Sequence, residues 1–410
     1  MLICNTERNP VSFTPMASAR EFCEALLKKA DVKIGGERPQ DIAVHDERLY
    51  NRVIRYGTLG LGEAYMDGWW EANALDVFIH RVLAARLDKA IEINVASMLA
   101  IAKAFFFNLQ SSKRAFTVGE AHYDLGNDLY AAMLDKRMVY TCGYWSSPST
   151  GSTSSPQASS GHRVNTLDEA QDAKLDLVCR KIGLKKGDRV LDIGCGWGSW
   201  AKYAVEKYGA SVVGITVSKE QAALARELCA GLPVEIRVQD YREVNPSTML
   251  GAGEQFDHIV SLGMFEHVGV KNYRTYFDVA NRCLKENGLF LLHTIGYKVS
   301  QLTSDPWIEK YIFPGGVLPS VAQIGKAIEG FFVMEDLHNF GADYDTTLMA
   351  WFANFDAAWP RLKKQYDERF YRMWKYYLLS CAGGFRARQM QLWQIVLSKN
   401  GVPGGYTSHR

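Results

Sequence analysis

Two runs place reactive side chains beside turn-forming glycines. Ser261-Leu262-Gly263-Met264-Phe265-Glu266-His267-Val268-Gly269 and Phe290-Leu291-Leu292-His293-Thr294-Ile295-Gly296 each begin as an apolar strand and break into polar residues. Strand ends of this kind open on ligand crevices in parallel sheets. Glu266 and His293 delivered there form either an acid/base pair or two metal ligands. Neither shows ligand spacing such as H-E-x-x-H, so no metal is assigned. Upstream, Tyr140-Thr141-Cys142-Gly143-Tyr144-Trp145 sets a thiol among aromatics, although a lone Cys142 is more often a small buried hydrophobe than a reactive group.

A third run says what enters such a crevice. Val190-Leu191-Asp192-Ile193 leads into Gly194-Cys195-Gly196-Trp197-Gly198 and then a helical stretch. The three glycines bare the backbone and accept the positive φ of a tight turn. Their G-x-G-x-G spacing differs from the G-x-G-x-x-G of dinucleotide sites. With Asp192 ahead of them, they fit S-adenosylmethionine, which carries no phosphate and whose only anionic group is a carboxylate suited to a helix N-terminus. The Cys195 side chain inside the run reads as a packing residue.

The next strand end, Thr216-Val217-Ser218-Lys219-Glu220-Gln221, lacks the acid that commonly takes the donor's ribose. The Thr216 and Ser218 hydroxyls and the Gln221 amide must then substitute, unless Ser218 only caps the helix that follows. Gln239-Asp240-Tyr241 ends a further strand, where Asp240 is placed to accept the adenine amino group or to act as a cap.

Behind these residues stand the elements that hold them. Capping-box residues Ser18 and Glu21 predict a helix over 19–30, and further helices are expected over 75–86 and 89–109. No α/β rhythm is evident in this N-terminal part. From Asp168 the pattern alternates: helices over 167–182, 197–208, 219–230 and 273–284, with strands over 189–193, 211–215, 234–238, 256–261 and 288–294. Residues 343–398 read as helical, closing on a strand at 392–397. The expected fold is α/β, a doubly wound, mostly parallel, Rossmann-like sheet of the class I S-adenosylmethionine-dependent methyltransferase type. A smaller, mainly helical domain over 1–115 precedes the catalytic domain, 116–410, in which the Ser-rich tract 146–161 reads as a mobile surface loop.

Composition narrows the partners. The 410 residues carry 47 Lys and Arg against 45 Asp and Glu, so no global electrostatic case exists for nucleic acid. Eight cysteines scattered without a C-x-x-C pair fit a reduced cytoplasmic protein. The apolar run Val95 to Leu109 contains Lys103 and falls short of the roughly 20 residues that span a bilayer. Its stretch Leu99 to Leu109, with Phe105, Phe106 and Phe107 followed by Lys113 and Arg114, is either a peripheral membrane-docking helix or a buried helix between domains.

Taken together, the chain resembles the cyclopropane-fatty-acid synthase family, which includes the mycolic-acid cyclopropane synthases and methyltransferases. The resemblance is carried by His122-Tyr123-Asp124-Leu125-Gly126-Asn127-Asp128-Leu129-Tyr130, the 140–145 and 190–200 runs, both strand ends above, Gly341-Ala342-Asp343-Tyr344-Asp345, and Cys381-Ala382-Gly383-Gly384-Phe385-Arg386. The region before about 115 is more similar to the bacterial phospholipid-acting enzymes, and the 146–161 tract departs from their pattern.

The resemblance implies methyl transfer from S-adenosylmethionine to a cis double bond of an unsaturated phospholipid, then proton loss and ring closure. It implies a bound bicarbonate as base, held by Cys142, Glu266, His293, the Ile295 N–H and Tyr344, with Tyr140 and Thr141 on the methionine moiety. Cys381 falls near the site but reads as structural, because the chemistry needs no covalent intermediate. A homodimer is expected from the bacterial relatives. The alternatives are a lipid C-methyltransferase giving a methyl branch and a non-catalytic lipid-binding protein.

Overall fold

The computed structural model describes residues 18–87, 110, 126–145, 164–246 and 255–410. The expected helix over 89–109, the 1–115 boundary and the Ser-rich tract lie outside them.

The chain starts with α1 (Ala19–Lys29), whose capping box is complete: the Ser18 hydroxyl accepts from the Glu21 N–H and the Glu21 carboxylate accepts from the Ser18 N–H. The glycine- and aromatic-rich stretch that followed no pattern in sequence is largely one long helix, α2 (Arg48–Met66), broken at Gly57, where φ is +58°. Packing explains the glycines inside it, since a Cβ at Gly62 would lie 2.4 Å from the Trp307 indole. Tertiary contact thus overrides helix propensity there. A two-stranded antiparallel ribbon, β1 (Ile42–Val44) and β2 (Trp70–Ala72), leads to α3 (Leu75–Ala84).

The catalytic part opens with α4 (Asn127–Met133) and α5 (Leu167–Lys181), the latter with a second complete capping box from Thr166 and Glu169. Alternation then runs β3 (Arg189–Ile193), α6 (Ser199–Tyr208), β4 (Ser211–Thr216), α7 (Lys219–Leu228), β5 (Val234–Val238), β6 (Phe256–Leu262), α8 (Tyr273–Cys283) and β7 (Leu284–Tyr297). Three of the later elements were not expected: α9 (Pro306–Tyr311), which starts on an Asp305 cap with Pro306 behind it, α10 (Val321–Ile328), which starts on a Ser320–Gln323 capping box, and β8 (Val333–Asn339). The stretch expected as helical over 343–398 resolves into α11 (Asp343–Leu362), α12 (Glu368–Arg386) and β9 (Met390–Ser398).

Seven strands form one sheet in the order β5-β4-β3-β6-β7-β9-β8. The first five are parallel, while β9 runs antiparallel between β7 and β8. Strand order reverses at β3, so the loops after β3 and β6 diverge and leave a crevice at their carboxyl ends. The fold is the expected doubly wound, mostly parallel sheet.

On one sheet face, α8 and α10 bury Phe277, Ile324 and Phe290; on the other, α5 and α6 bury Leu175, Val178 and Trp200. The N-terminal helices share a third core with α4, α11 and α12, in which Leu26, Trp70 and Phe78 join Trp374 and Tyr376. Arg386 of α12 ties this junction, donating to Asp76 of α3 (2.6 Å) and to both oxygens of Asp345 (2.8 Å each).

Candidate active site

The crevice is walled by the loops after β3, β4, β5 and β6, together with Tyr140 and Thr141. Asp192, Gly194, Cys195, Gly196, Thr216, Val217, Gln221, Asp240 and Tyr241 all line it. Gly194 has φ +88°, and a Cβ there would strike the Met264 side chain at 2.6 Å, so the β3 and β6 loops approach closely only because it is glycine. At Gly196 a Cβ would meet only Gln221 Nε2, at 4.0 Å; bare backbone there faces open space, as a ligand lying along the turn requires.

Two residues of the expected set sit off the wall. Gly198 is the left-handed N-cap of α6, packed toward Cys229 and Ala225. Ser218 caps α7, its hydroxyl accepting from the Gln221 N–H at 3.2 Å. Of the polar groups expected at the ribose, those on the crevice wall are Thr216, whose hydroxyl donates to Gln221 Oε1 at 3.1 Å, and Gln221 itself. Asp240 already accepts from Arg242 on both oxygens, at 2.8 and 2.5 Å, so any adenine contact shares a carboxylate that is ion-paired.

Asp192 is 2% exposed, and burial pushes its carboxyl up to about 7, with Lys174 opposing. Lys174 had drawn no attention in sequence. It lies on the inner face of α5 with Gln171; both are fully buried at positions where a core helix would carry apolar residues. That pattern break was its available signal. Gln171 Nε2 donates to the Thr141 carbonyl at 2.7 Å and Lys174 Nζ to the Thr141 hydroxyl at 2.8 Å, so α5 fixes the 140–145 run from behind. The Tyr140 hydroxyl is fixed by Tyr377 of α12, another unforeseen partner, at 2.9 Å.

Behind the crevice lies a buried polar cluster. Glu266 Oε1 accepts from the Ile295 N–H at 2.7 Å, while Oε2 is buried with no hydrogen-bond partner among the described residues. Burial pushes this carboxyl up to about 7. His293 Nδ1 lies 3.3 Å from Gln394 Nε2 on β9, and its Nε2 is buried with no hydrogen-bond partner among the described residues. Burial, reinforced by Lys174 and Lys181, holds the imidazole well below its ordinary range and hence neutral. Burial likewise keeps the Cys142 thiol protonated; its Sγ donates to the Gly143 carbonyl at 3.1 Å.

Tyr344, stacked on Phe385 at 4.5 Å, is raised by burial and then by Cys142, Glu266, Tyr140 and Cys381 around it. Of the six expected catalytic residues, Glu266 and Ile295 are in contact, and Cys142, Glu266 and Cys381 stand near Tyr344. Cys381 on α12 is largely buried, and burial pushes its thiol up to about 12, which leaves it no nucleophilic character at neutral pH. The cluster and the crevice meet at Gly263, whose N–H donates to the His293 carbonyl at 2.9 Å and whose Cα side faces Thr141. Among the described residues no three His, Cys, Asp or Glu side chains are arranged to hold a metal ion.

Residues 110–395 match the family model for mycolic acid cyclopropane synthetase. The chain is 54% identical over 380 residues to the cyclopropane-fatty-acyl-phospholipid synthase of Escherichia coli strain K12, covering 93% of each. It is 36% identical over 290 residues to sphingolipid C9-methyltransferase A of Emericella nidulans, covering 68% of this chain and 53% of that one. Among solved structures, mycolic acid cyclopropane synthase CmaA1 in complex with SAH and CTAB aligns with a TM-score of 0.59 at 31% identity, over 69% of this chain and 98% of that one. S-adenosylmethionine is the methyl donor. The chain belongs to the mycolic acid cyclopropane synthetase family and is an S-adenosylmethionine-dependent methyltransferase.

Proposed function

We propose that this enzyme builds a cyclopropane ring on the cis double bond of an unsaturated phospholipid acyl chain. With S-adenosylmethionine placed in the G-x-G-x-G crevice, the observation that carries the proposal is a pair of buried atoms beside it, Glu266 Oε2 and His293 Nε2, which have no hydrogen-bond partner among the described residues and belong to a carboxyl raised to about 7 and a neutral imidazole. A methyltransferase that only adds a methyl group to a nucleophile has no need of them; one that must also take a proton from carbon does.

The alkene π pair attacks the donor methyl, the C–S bond breaks, and S-adenosylhomocysteine leaves with the former sulfonium neutral. The resulting carbocation loses a proton from the new methyl carbon, and that C–H pair closes the ring. Bicarbonate, when bound, would supply the base. Neutral Cys142, Tyr344, His293 and half-protonated Glu266 can each donate a hydrogen bond to an oxyanion, and the Ile295 N–H is freed for it if Glu266 turns away. Tyr140 and Tyr344, whose ring centroids lie 5.3 and 6.0 Å from that of Trp351, provide with it aromatic faces that stabilise a cation without reacting with it, worth roughly 0.5–2 kcal/mol each. Exclusion of water protects the cation from capture.

The similarity to the cyclopropane-fatty-acyl-phospholipid synthase of Escherichia coli across nearly the whole chain supports phospholipid as substrate; a cytoplasmic homodimer acting peripherally at the membrane is part of the same proposal. No helix among the described residues is long and apolar enough to cross a membrane. Labelled S-adenosylmethionine, oleoyl phospholipid vesicles and bicarbonate should yield a fatty acid heavier by one CH2 that resists hydrogenation as a ring does. A branched product, or full activity in bicarbonate-depleted buffer, would remove ring closure or the bicarbonate base respectively.

A further inference from the structure

The donor crevice contains a fully buried ammonium group that the known parts of the site leave unexplained. Lys174 Nζ has three protons to place and, among the described residues, one hydrogen bond, to the neutral Thr141 hydroxyl at 2.8 Å. The carboxylates nearest in charge are Asp135 and Asp192. Asp135 is engaged elsewhere, accepting from the N–H groups of Val139 (2.8 Å) and Arg137 (3.1 Å). Asp192 lines the same crevice as Lys174 and stands at the end of β3. A buried ammonium with one neutral acceptor is costly unless something anionic completes it.

The methyl donor brings what is missing. Its amino-acid end carries one carboxylate and one ammonium group, and the crevice offers one buried cation and one buried acid. Pairing each with its opposite satisfies all four groups, whereas the helix α6 N-terminus alone would leave Lys174 uncompensated. We propose that Lys174 receives the α-carboxylate of S-adenosylmethionine, with Asp192 taking the α-ammonium, so that α5 and β3 together fix the methionine end and aim the sulfonium methyl. Thr141 orients the Lys174 ammonium at the crevice wall. Because Gln171 and Lys174 lie one turn apart on α5 and grip the same residue, the segment that bears Cys142 is positioned by the helix that reads the donor.

The test compares two ligands on the full-length protein by isothermal titration: S-adenosylhomocysteine and its decarboxylated analogue. Lys174→Met should weaken S-adenosylhomocysteine at least tenfold, as loss of a charge-assisted hydrogen bond predicts, and change the analogue by less than twofold. A loss shared by both ligands would make Lys174 a structural clamp on Thr141 and overturn the assignment, as would no loss for either. If circular dichroism shows Lys174→Met unfolded, Lys174→Gln, which can still bond the Thr141 hydroxyl, carries the same comparison with the same deciding outcomes. Failure of the unmodified protein to bind S-adenosylhomocysteine would instead remove the donor crevice itself.

Discussion

Glu266 is the residue on which chemistry and stability meet. Its carboxyl is held near 7 against an ordinary 4.5, because burial disfavours the charge. A carboxyl raised on folding favours the folded state below about pH 4.5, and that contribution is lost as the pH climbs through about 7, of order 2–3 kcal/mol. Glu266→Gln keeps the acceptor for the Ile295 N–H but cannot ionise. It should therefore raise the melting temperature at pH 8 by a few degrees and leave it nearly unchanged at pH 5; equal shifts at both would refute the burial assignment. The same variant should abolish product while binding S-adenosylhomocysteine within twofold of the unmodified enzyme, and retained turnover would take Glu266 out of the mechanism. Glu266 and His293 were legible in sequence because each follows an apolar strand. Gln394, which holds His293, was not, because β9 reaches β7 from 101 residues away.

At the scale of elements, the junction of α3 and α12 depends on a missing side chain. A Cβ at Gly383 would lie 2.6 Å from the Asp76 carbonyl and 2.9 Å from the His80 nitrogen. Gly383→Ala must push the helices apart and should cost about 1–3 kcal/mol, read as a lower urea midpoint. An unchanged midpoint would show that the two backbones are not in close contact. The parallel strands announced themselves through apolar runs closed by glycine or polar residues, and β3 and β5 match their expected limits. Strand β8 did not, since its sequence Val333-Met-Glu-Asp-Leu-His-Asn339 is polar and lies at the sheet edge, where only one neighbour demands pairing. Helix α2 was hidden by glycines that local propensity counts against a helix, of which Gly62 is required by Trp307 and Gly60 by the Arg52 carbonyl.

For the whole molecule, the continuous core from Leu26 through Trp70 to Trp374 couples the N-terminal helices to the helices that close the active site. Although the sequence suggests separate domains, that shared core should make them unfold together. Differential scanning calorimetry should give a single transition, and two resolved transitions would show that the N-terminal part is energetically independent. Membrane docking belongs to this scale too, and it is proposed for residues 99–109, outside the described residues. Replacing Phe105 and Phe106 with Ser should abolish flotation with anionic vesicles while leaving the melting temperature in place; flotation that persists would assign that stretch to the interior.

The sequence by itself determined the donor, the sheet and the strand ends that face it, because these rest on local rules: glycine spacing, apolar period and helix caps act over ten residues or fewer. Through resemblance it also proposed which polar residues act together. What the tertiary structure decided is what surrounds them. Lys174, Gln171, Gln394 and Tyr377 enter the site from helices and strands far along the chain, and the charge state of Glu266 and His293 follows from burial that no local pattern expresses. Desolvation is a property of the assembled interior, so the chemistry of a site can be named in sequence while its protonation is set only by the fold.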